Sequence, residues 1–510
     1  MKARLMYRDR DFDLQGKLPG NEAALRQDLE LDTLFKAMAL DDKFLYAVAK
    51  HAVLAGLGED VDTIRYRQAI LRDCLGQPAV VREIYAIADG ALTAEKKIFF
   101  GFYGRYLGGI LSRAVEVLEL LVGTLRRLRQ VADDHAGRFE SEGFTALFAM
   151  LRRELDDAYF AQIQDHLKRL KFRDGVLLSA EIGKGNKGAN YVLRKPNVSG
   201  RNWVEQLFAR RPPAYTLTLH ERDDNGARAL SELHDRGINL VANALAQSTD
   251  HILSLLAMLR AELAFYIGCL NLRDQLAQLG EPRCFPRAAP ASEGRCSFQG
   301  LYDACLALTA QRPVVGSDAQ ADQKRLVIIT GANQGGKSTY LRSIGLAQLM
   351  LQAGMFVPAE TFCASVCDGL YTHFKREEDV TMTSGKLDEE LSRLSDIADK
   401  LTPNSMVLLN ESFAATNVLE GAEVARQIVT ALLEHGVRVY YVTHLYEFAR
   451  GYYDQKPAFA AFLRAERRSD GTRTFKIIAG EPLETSYGKD LFDATFGAAN
   501  PAPASPPVPA

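Results

Sequence analysis

Gly331-Ala-Asn-Gln-Gly-Gly-Lys-Ser338 follows the apolar run Arg325-Leu-Val-Ile-Ile-Thr330 and opens a segment with helical spacing. A strand that ends in G-x-x-x-x-G-K-S turns its backbone N–H groups inward as an anion nest, with the positive end of the next helix behind them. The pattern predicts a P-loop for nucleotide phosphates. Gly331, Ala332, Asn333, Gln334, Gly335 and Gly336 would cradle the phosphates and Thr339 would follow in the helix. Lys337 would reach the β- and γ-phosphates and Ser338 a Mg²⁺ ion.

Phosphoryl transfer to water also needs a group that orients the attacking water, and two downstream runs offer candidates. Ser405-Met-Val-Leu-Leu-Asn410-Glu411 reads as a buried strand ending in polar residues, the end at which doubly wound α/β sheets present chemistry. Glu411 is the expected water-polarising carboxylate. A second strand, Val437-Arg-Val-Tyr-Tyr-Val-Thr-His444, ends in a histidine. A lone histidine is ordinarily structural, so spacing alone assigns His444 no role.

Four separated blocks share one likeness: the P-loop with Thr339-Tyr340-Leu341-Arg342, Gly354-Met-Phe-Val-Pro358-Ala359, the strand ending Asn410-Glu411, and Thr443-His444. In order and spacing over residues 300–490 the chain resembles the MutS family of DNA mismatch repair ATPases. Over residues 40–280 it is similar to that family's helical core and lever region in outline. The resemblance implies ATP and Mg²⁺ as ligands, duplex or branched DNA as partner, and a homodimer. It implies further that Asn333 contacts the γ-phosphate and that His444 senses it. Ser384, in Met382-Thr-Ser-Gly-Lys-Leu-Asp-Glu-Glu-Leu391, stands where the family places a serine that reaches the partner's nucleotide. A register shifted by one puts Gly385 there, and capping of its own helix is the alternative for Ser384.

The chain departs from the family pattern in two ways. Asn410 replaces an aspartate, leaving a neutral amide in the Mg²⁺ shell, and Ser412-Phe-Ala-Ala-Thr416 lacks the glycines and arginine expected there, while Glu420-Gly421 can stand for the acidic-Gly turn. No Phe-x-Glu wedge motif precedes residue 150, so neither a mismatch-wedge domain nor an appended nuclease domain after residue 490 is expected. Without a wedge, grip on DNA would come from backbone charge and DNA shape.

With 510 residues, 47% of them hydrophobic and 25% charged, the chain is expected to form two or more globular domains. A net charge of −2 confines any nucleic-acid contact to local basic patches. Seven scattered cysteines without a CxxC pair fit a reducing compartment. The charged start and the lack of a membrane-length apolar run predict a cytoplasmic protein with no membrane partner.

The expected fold is α plus α/β. A helical core domain (1–172) precedes a β-rich, clamp-like insertion (173–235), a lever helix (236–281) and a Pro/Ala-rich linker (282–299). An ABC-like P-loop ATPase domain (300–497) and a disordered, proline-rich tail (498–510) follow. The insertion carries Lys184, Lys187, Arg194, Lys195 and Arg201, interleaved with Tyr191 and Trp203. It reads either as a DNA-gripping element or as a solvated, charged loop. The lever segment lacks proline and, as one helix or a closely broken pair, could span on the order of 65 Å, although coiled-coil packing alone would explain its apolar stripe equally well. Taken together, the residues predict a MutS-like ATPase acting on DNA in mismatch repair or recombination control. The alternative is a dimeric nucleotide-binding scaffold with negligible hydrolysis because of Asn410. A chromosome-organising ABC ATPase is disfavoured, since neither L-S-G-G-Q nor a long heptad arm is present.

Overall fold

The computed structural model describes residues 1–99, 107–170, 177–186, 188–194, 218, 220, 223–376, 385–468 and 472–483. Eight helices come first: α1 (Glu22–Asp28), α2 (Leu31–Ala39), α3 (Lys43–Leu54), α4 (Val61–Gly76), α5 (Pro78–Phe99), α6 (Leu107–His135), α7 (Glu142–Glu154) and α8 (Asp157–Leu170). The hairpin β1 (Leu178–Ile182) and β2 (Gly188–Leu193) and the long helix α9 (Asp224–Gln278) follow. The remainder alternates: β3 (Arg287–Ala289), β4 (Cys296–Leu301), α10 (Ala304–Ala310), β5 (Ser317–Gln320), β6 (Leu326–Thr330), α11 (Lys337–Gln352), β7 (Thr361–Ser365) and β8 (Leu370–Phe374). The last elements are α12 (Lys386–Ala398), β9 (Met406–Asn410), α13 (Val418–Glu434), β10 (Arg438–Val442), α14 (Tyr446–Gln455), β11 (Ala460–Arg467) and β12 (Arg473–Ala479).

The chain divides into two compact units. One comprises Met1–Ala3, Ala79–Phe139 and Phe144–Arg260. Among its described residues the β1–β2 hairpin interrupts an otherwise helical pattern, and apolar residues at helical spacing, such as Leu118, Leu121, Val122 and Leu125, turn inward. Phe139, Phe144 and Phe148 form an aromatic cluster with centroids 4.6–5.7 Å apart.

The other unit comprises Arg4–Pro78, Glu140–Gly143 and Ala261–Ala510. Its main sheet has the order β12-β11-β6-β10-β9-β8, parallel except for the antiparallel β11–β12 pair. The strands β6, β9 and β10 are near-continuous apolar runs because both faces are covered. Ile328, Leu409 and Tyr441 pack against Ala425 and Val429 of α13 and Phe448 of α14. On the other face Gly345 of α11 lies so close to Leu408 and Leu29 that a β-carbon there would meet their methyl groups at 2.8 and 2.9 Å. A second, four-stranded sheet has the order β3-β7-β4-β5.

Three expected boundaries move. Helices α1–α4 belong with the sheet-bearing unit instead of a separate 1–172 domain, because residues such as Leu29 complete the cover of α11. The long helix starts at Asp224, inside the stretch read as β-rich, where the Asp223 carboxylate caps it by accepting from Gly226 N at 2.9 Å. The presumed linker 282–299 contributes β3 and β4 to the second sheet. Its composition conceals backbone pairing, which includes reciprocal bonds between Cys284 and Val357 at 3.1 and 2.8 Å. Contrary to the sequence reading, the stretch Asn243–Gln278 of α9 is long and apolar enough to cross a membrane by length and composition. Most of it is buried inside the protein, as in a core helix.

Candidate active site

Parallel register brings the functional strand ends to one level. Val442 pairs with Ile329 on one side and with Asn410 on the other, so Gly331, Glu411 and His444 all emerge just beyond the carboxyl ends of β6, β9 and β10. This is the edge where open α/β sheets bind ligands.

The Gly331–Gly336 loop turns through three left-handed residues, Gly331 (φ +110°), Gln334 (φ +57°) and Gly336 (φ +88°). Gly331 and Gly335 also lack room for a side chain, since a β-carbon would meet Ala465 N at 2.9 Å and Ala465 Cβ at 2.7 Å, respectively. Gly336 caps α11, and Lys337 begins it. Buried Lys337 Nζ donates to the carbonyl oxygens of Gly331 (3.0 Å) and Ala332 (2.9 Å). Burial pushes its pKa down to about 8, with Glu411 opposing and Arg473 adding to the shift. Asn333 is partly buried, Gln334 exposed and Thr339 partly buried.

Ser338 Oγ donates to Asn410 Oδ1 at 3.0 Å. His444 Nε2 lies 2.9 Å from Glu411 Oε1. This hydrogen bond is the largest cause of the low pKa of Glu411, which also feels the charges of His444, Lys337 and Lys375. Glu411 sits in the left-handed region (φ +55°), a costly conformation for a side-chain-bearing residue. Its backbone is held by Glu411 N donating to Val442 O at 2.8 Å.

Beneath Glu411 is a buried network that the sequence reading missed. His373 Nδ1 lies 2.6 Å from Ser412 Oγ, and His373 Nε2 lies 3.0 Å from the carbonyl of Glu390 on α12. Nε2, facing a carbonyl, donates, while Ser412 Oγ sits beside Nδ1 and its hydroxyl donates to the His373 carbonyl at 2.9 Å. Burial pushes the imidazole pKa down to about 4. Phe413 (φ +63°) stacks on His373 with centroids 5.7 Å apart, and its N–H donates to Glu390 Oε2 at 2.7 Å. Sequence offered little signal for this group, whose members come from β8, α12 and the turn after β9.

The β11–β12 hairpin, also missed, borders the loop. Arg473 donates to Gln334 Oε1 at 3.2 Å, and Phe475 lines a cavity of about 350 Å³ together with Pro313, Val314, Gly336 and Thr339. The Asp470-Gly471 pair between two strand-like runs was its available signal.

The structure thus brings together Lys337, Ser338, Asn410, Glu411 and His444. Ser384 lies outside the described residues, as do Lys187, Lys195 and Arg201. Lys184 and Arg194 are exposed on the β1–β2 hairpin, where Arg194 Nε donates to Ser179 Oγ at 2.9 Å.

Residues 59–279 match the family model of the MutS2 N-terminal domain and residues 327–496 that of MutS domain V. The chain belongs to the MutS family. It is 23% identical over 448 residues to the DNA mismatch repair protein MutS of Methanosarcina mazei, covering 86% of this chain and 46% of that protein. Over 156 residues it is 33% identical to the DNA mismatch repair protein MutS of Thermotoga petrophila, covering 31% and 20%. Over 181 residues it is 35% identical to that of Petrotoga mobilis, covering 34% and 21%. The chain spans less than half the length of the curated relatives it matches.

Proposed function

We propose that this protein is a Mg²⁺-dependent ATPase whose nucleotide cycle controls a grip on duplex or branched DNA, in mismatch repair or recombination control. The observation that carries the reading is the convergence of a phosphate-type loop with an ionised, histidine-bonded Glu411 at one sheet edge. The loop supplies backbone N–H groups and the helix α11 N-terminus for phosphate, and Lys337 has donors to transfer from its loop carbonyls to phosphate oxygens. The adjoining cavity, with Phe475 and Val314, offers apolar cover for a base. Glu411, kept as a carboxylate by His444, accepts a hydrogen bond from the attacking water.

The residues fit Mg²⁺. Ser338 Oγ and Asn410 Oδ1 are hard oxygen donors 3.0 Å apart, and this ion takes one or two protein oxygens and fills its shell with phosphates and water. When bound, the ion would neutralise charge on the terminal phosphates. Asn410 supplies an oxygen without a charge. That same observation favours a second reading, a dimeric nucleotide-binding scaffold with negligible hydrolysis.

A homodimer and a cytoplasmic location complete the proposal. Val418 and Leu419, 59% and 68% exposed a few residues after Glu411, support a partner surface beside the site. The lever role of α9 and the DNA-gripping role of the 173–235 segment, through Lys184, Lys187, Arg194, Lys195 and Arg201, belong to this proposal. So does the trans role of Ser384.

The test is ATP turnover by the full chain with and without homoduplex, mismatched and junction DNA, beside Lys337→Ala and Glu411→Gln. Lys337→Ala is expected to abolish binding, and Glu411→Gln to bind ATP without turning it over. Wild type that binds ATP but shows no turnover with any DNA establishes the scaffold reading instead. Sedimentation with ATP and Mg²⁺ that finds only monomer at micromolar protein removes the dimer.

A further inference from the structure

The loop carries one lysine, and the segment that follows Glu411, Ser412 to Asn417, contains no basic residue. A second cation nevertheless reaches the loop from β12. Arg473 donates to Gln334, the exposed left-handed residue at the loop apex. Among the described residues Gln334 is its hydrogen-bond partner and no carboxylate pairs with it, although Arg has five N–H donors to place.

The backbone that carries Arg473 is shaped for this position. Ala465 pairs with Ile477 and Arg467 with Arg473, so three residues of β12 face the single Glu466 of β11. At the centre of the bulge Phe475 adopts φ +61° and is 52% exposed, a conformation and exposure that burial does not explain. The bulge presses the hairpin onto the loop. A β-carbon on Gly336 would meet Phe475 O at 3.2 Å, just as Gly331 and Gly335 are blocked by Ala465. Bulges concentrate beside sites where they re-aim a side chain. Two cations, Lys337 and Arg473, are thus gathered where their mutual repulsion is relieved by a polyanion.

Given the nucleotide-site reading above, on which this rests, we propose that Arg473 is a phosphate-binding residue. From the same chain it grips the terminal phosphate of a nucleoside triphosphate and ties the β11–β12 hairpin to the nucleotide state. Gln334 holds the guanidinium in place until the phosphate arrives. An Arg can then bind two phosphate oxygens through paired N–H donors.

The experiment is calorimetric titration of the full chain with ATP, ADP and AMP in Mg²⁺ buffer, for wild type, Arg473→Gln and Arg473→Lys. Arg473→Gln is expected to weaken ATP at least tenfold and ADP less, leaving AMP unchanged, so the ATP-to-ADP preference shrinks. Arg473→Lys restores part of that preference. Equal loss for all three nucleotides, or an unchanged preference in Arg473→Gln, overturns the proposal while leaving the nucleotide site standing. Should Arg473→Gln fail to fold, a wild-type preference in Arg473→Lys overturns it. Wild type that binds none of the three sinks the nucleotide-site reading itself and this inference with it.

Discussion

The ammonium of Lys337 is the most exposed to test by pH. Its pKa is pushed down to about 8 by burial, partly offset by Glu411 and reinforced by Arg473. The lysine is charged below that value and neutral above it, so on the proposed nucleotide-site reading phosphate binding by the free protein is expected to be full at pH 7 and lost as pH rises. From pH 7 to pH 9 the charged fraction falls about tenfold for a group titrating near 8, and ATP affinity should fall by the same factor. A lysine at its ordinary value would lose only a few per cent of its charge over that range. The assay is ATP affinity from pH 6.5 to 10 in constant Mg²⁺, in which the free-protein pKa sets the midpoint. Removing the favourable charge of Glu411 by Glu411→Gln should move the midpoint to lower pH, because Glu411 is the group that holds the lysine protonated. An affinity flat to pH 10, or a midpoint that Glu411→Gln leaves in place, would refute the burial argument for Lys337.

Asn410→Asp should lower the half-saturating Mg²⁺ for turnover by about tenfold, on the order of 1.4 kcal/mol, through added charge beside Ser338. Coincident Mg²⁺ titrations of the two forms would remove Asn410 from the metal shell. Repulsion between the introduced carboxylate and Glu411 could leave maximal rate unchanged. Buried His373 stays neutral in the folded protein down to pH about 4 and charges near 6.5 when unfolded. Stability should therefore fall by about 2 kcal/mol from pH 7 to pH 5, and His373→Gln should flatten this dependence in urea titrations. DNA affinity should depend steeply on salt with little preference for a mismatch, and replacing Lys184 and Arg194 by alanine should reduce the salt slope by about two. Strong selectivity for a single mispair would contradict it.

Local pattern carried the strand, loop and helix around Lys337, because a Gly-rich turn after four apolar residues and a threonine has few other uses and needs no distant partner. The strands Met406–Asn410 and Arg438–Val442 were equally legible, since burial on both faces leaves continuous apolar runs. Glu411 and His444 could be named from the sequence, but their 2.9 Å contact depends on β9 and β10 being in register. Pairing in space decided the rest. Helices α1–α4 read as part of a helical domain until they packed in turn against β8, α10, α11 and β3. Pro/Ala-rich residues became strands because Val357 and β7 supplied backbone partners. The His373–Ser412–Glu390 network and the Arg473 hairpin join residues tens to more than a hundred positions apart. A single sequence encodes such contacts only through the shared burial that folding creates, so spacing along the chain could specify the chemistry of the loop but not the side chains gathered around it.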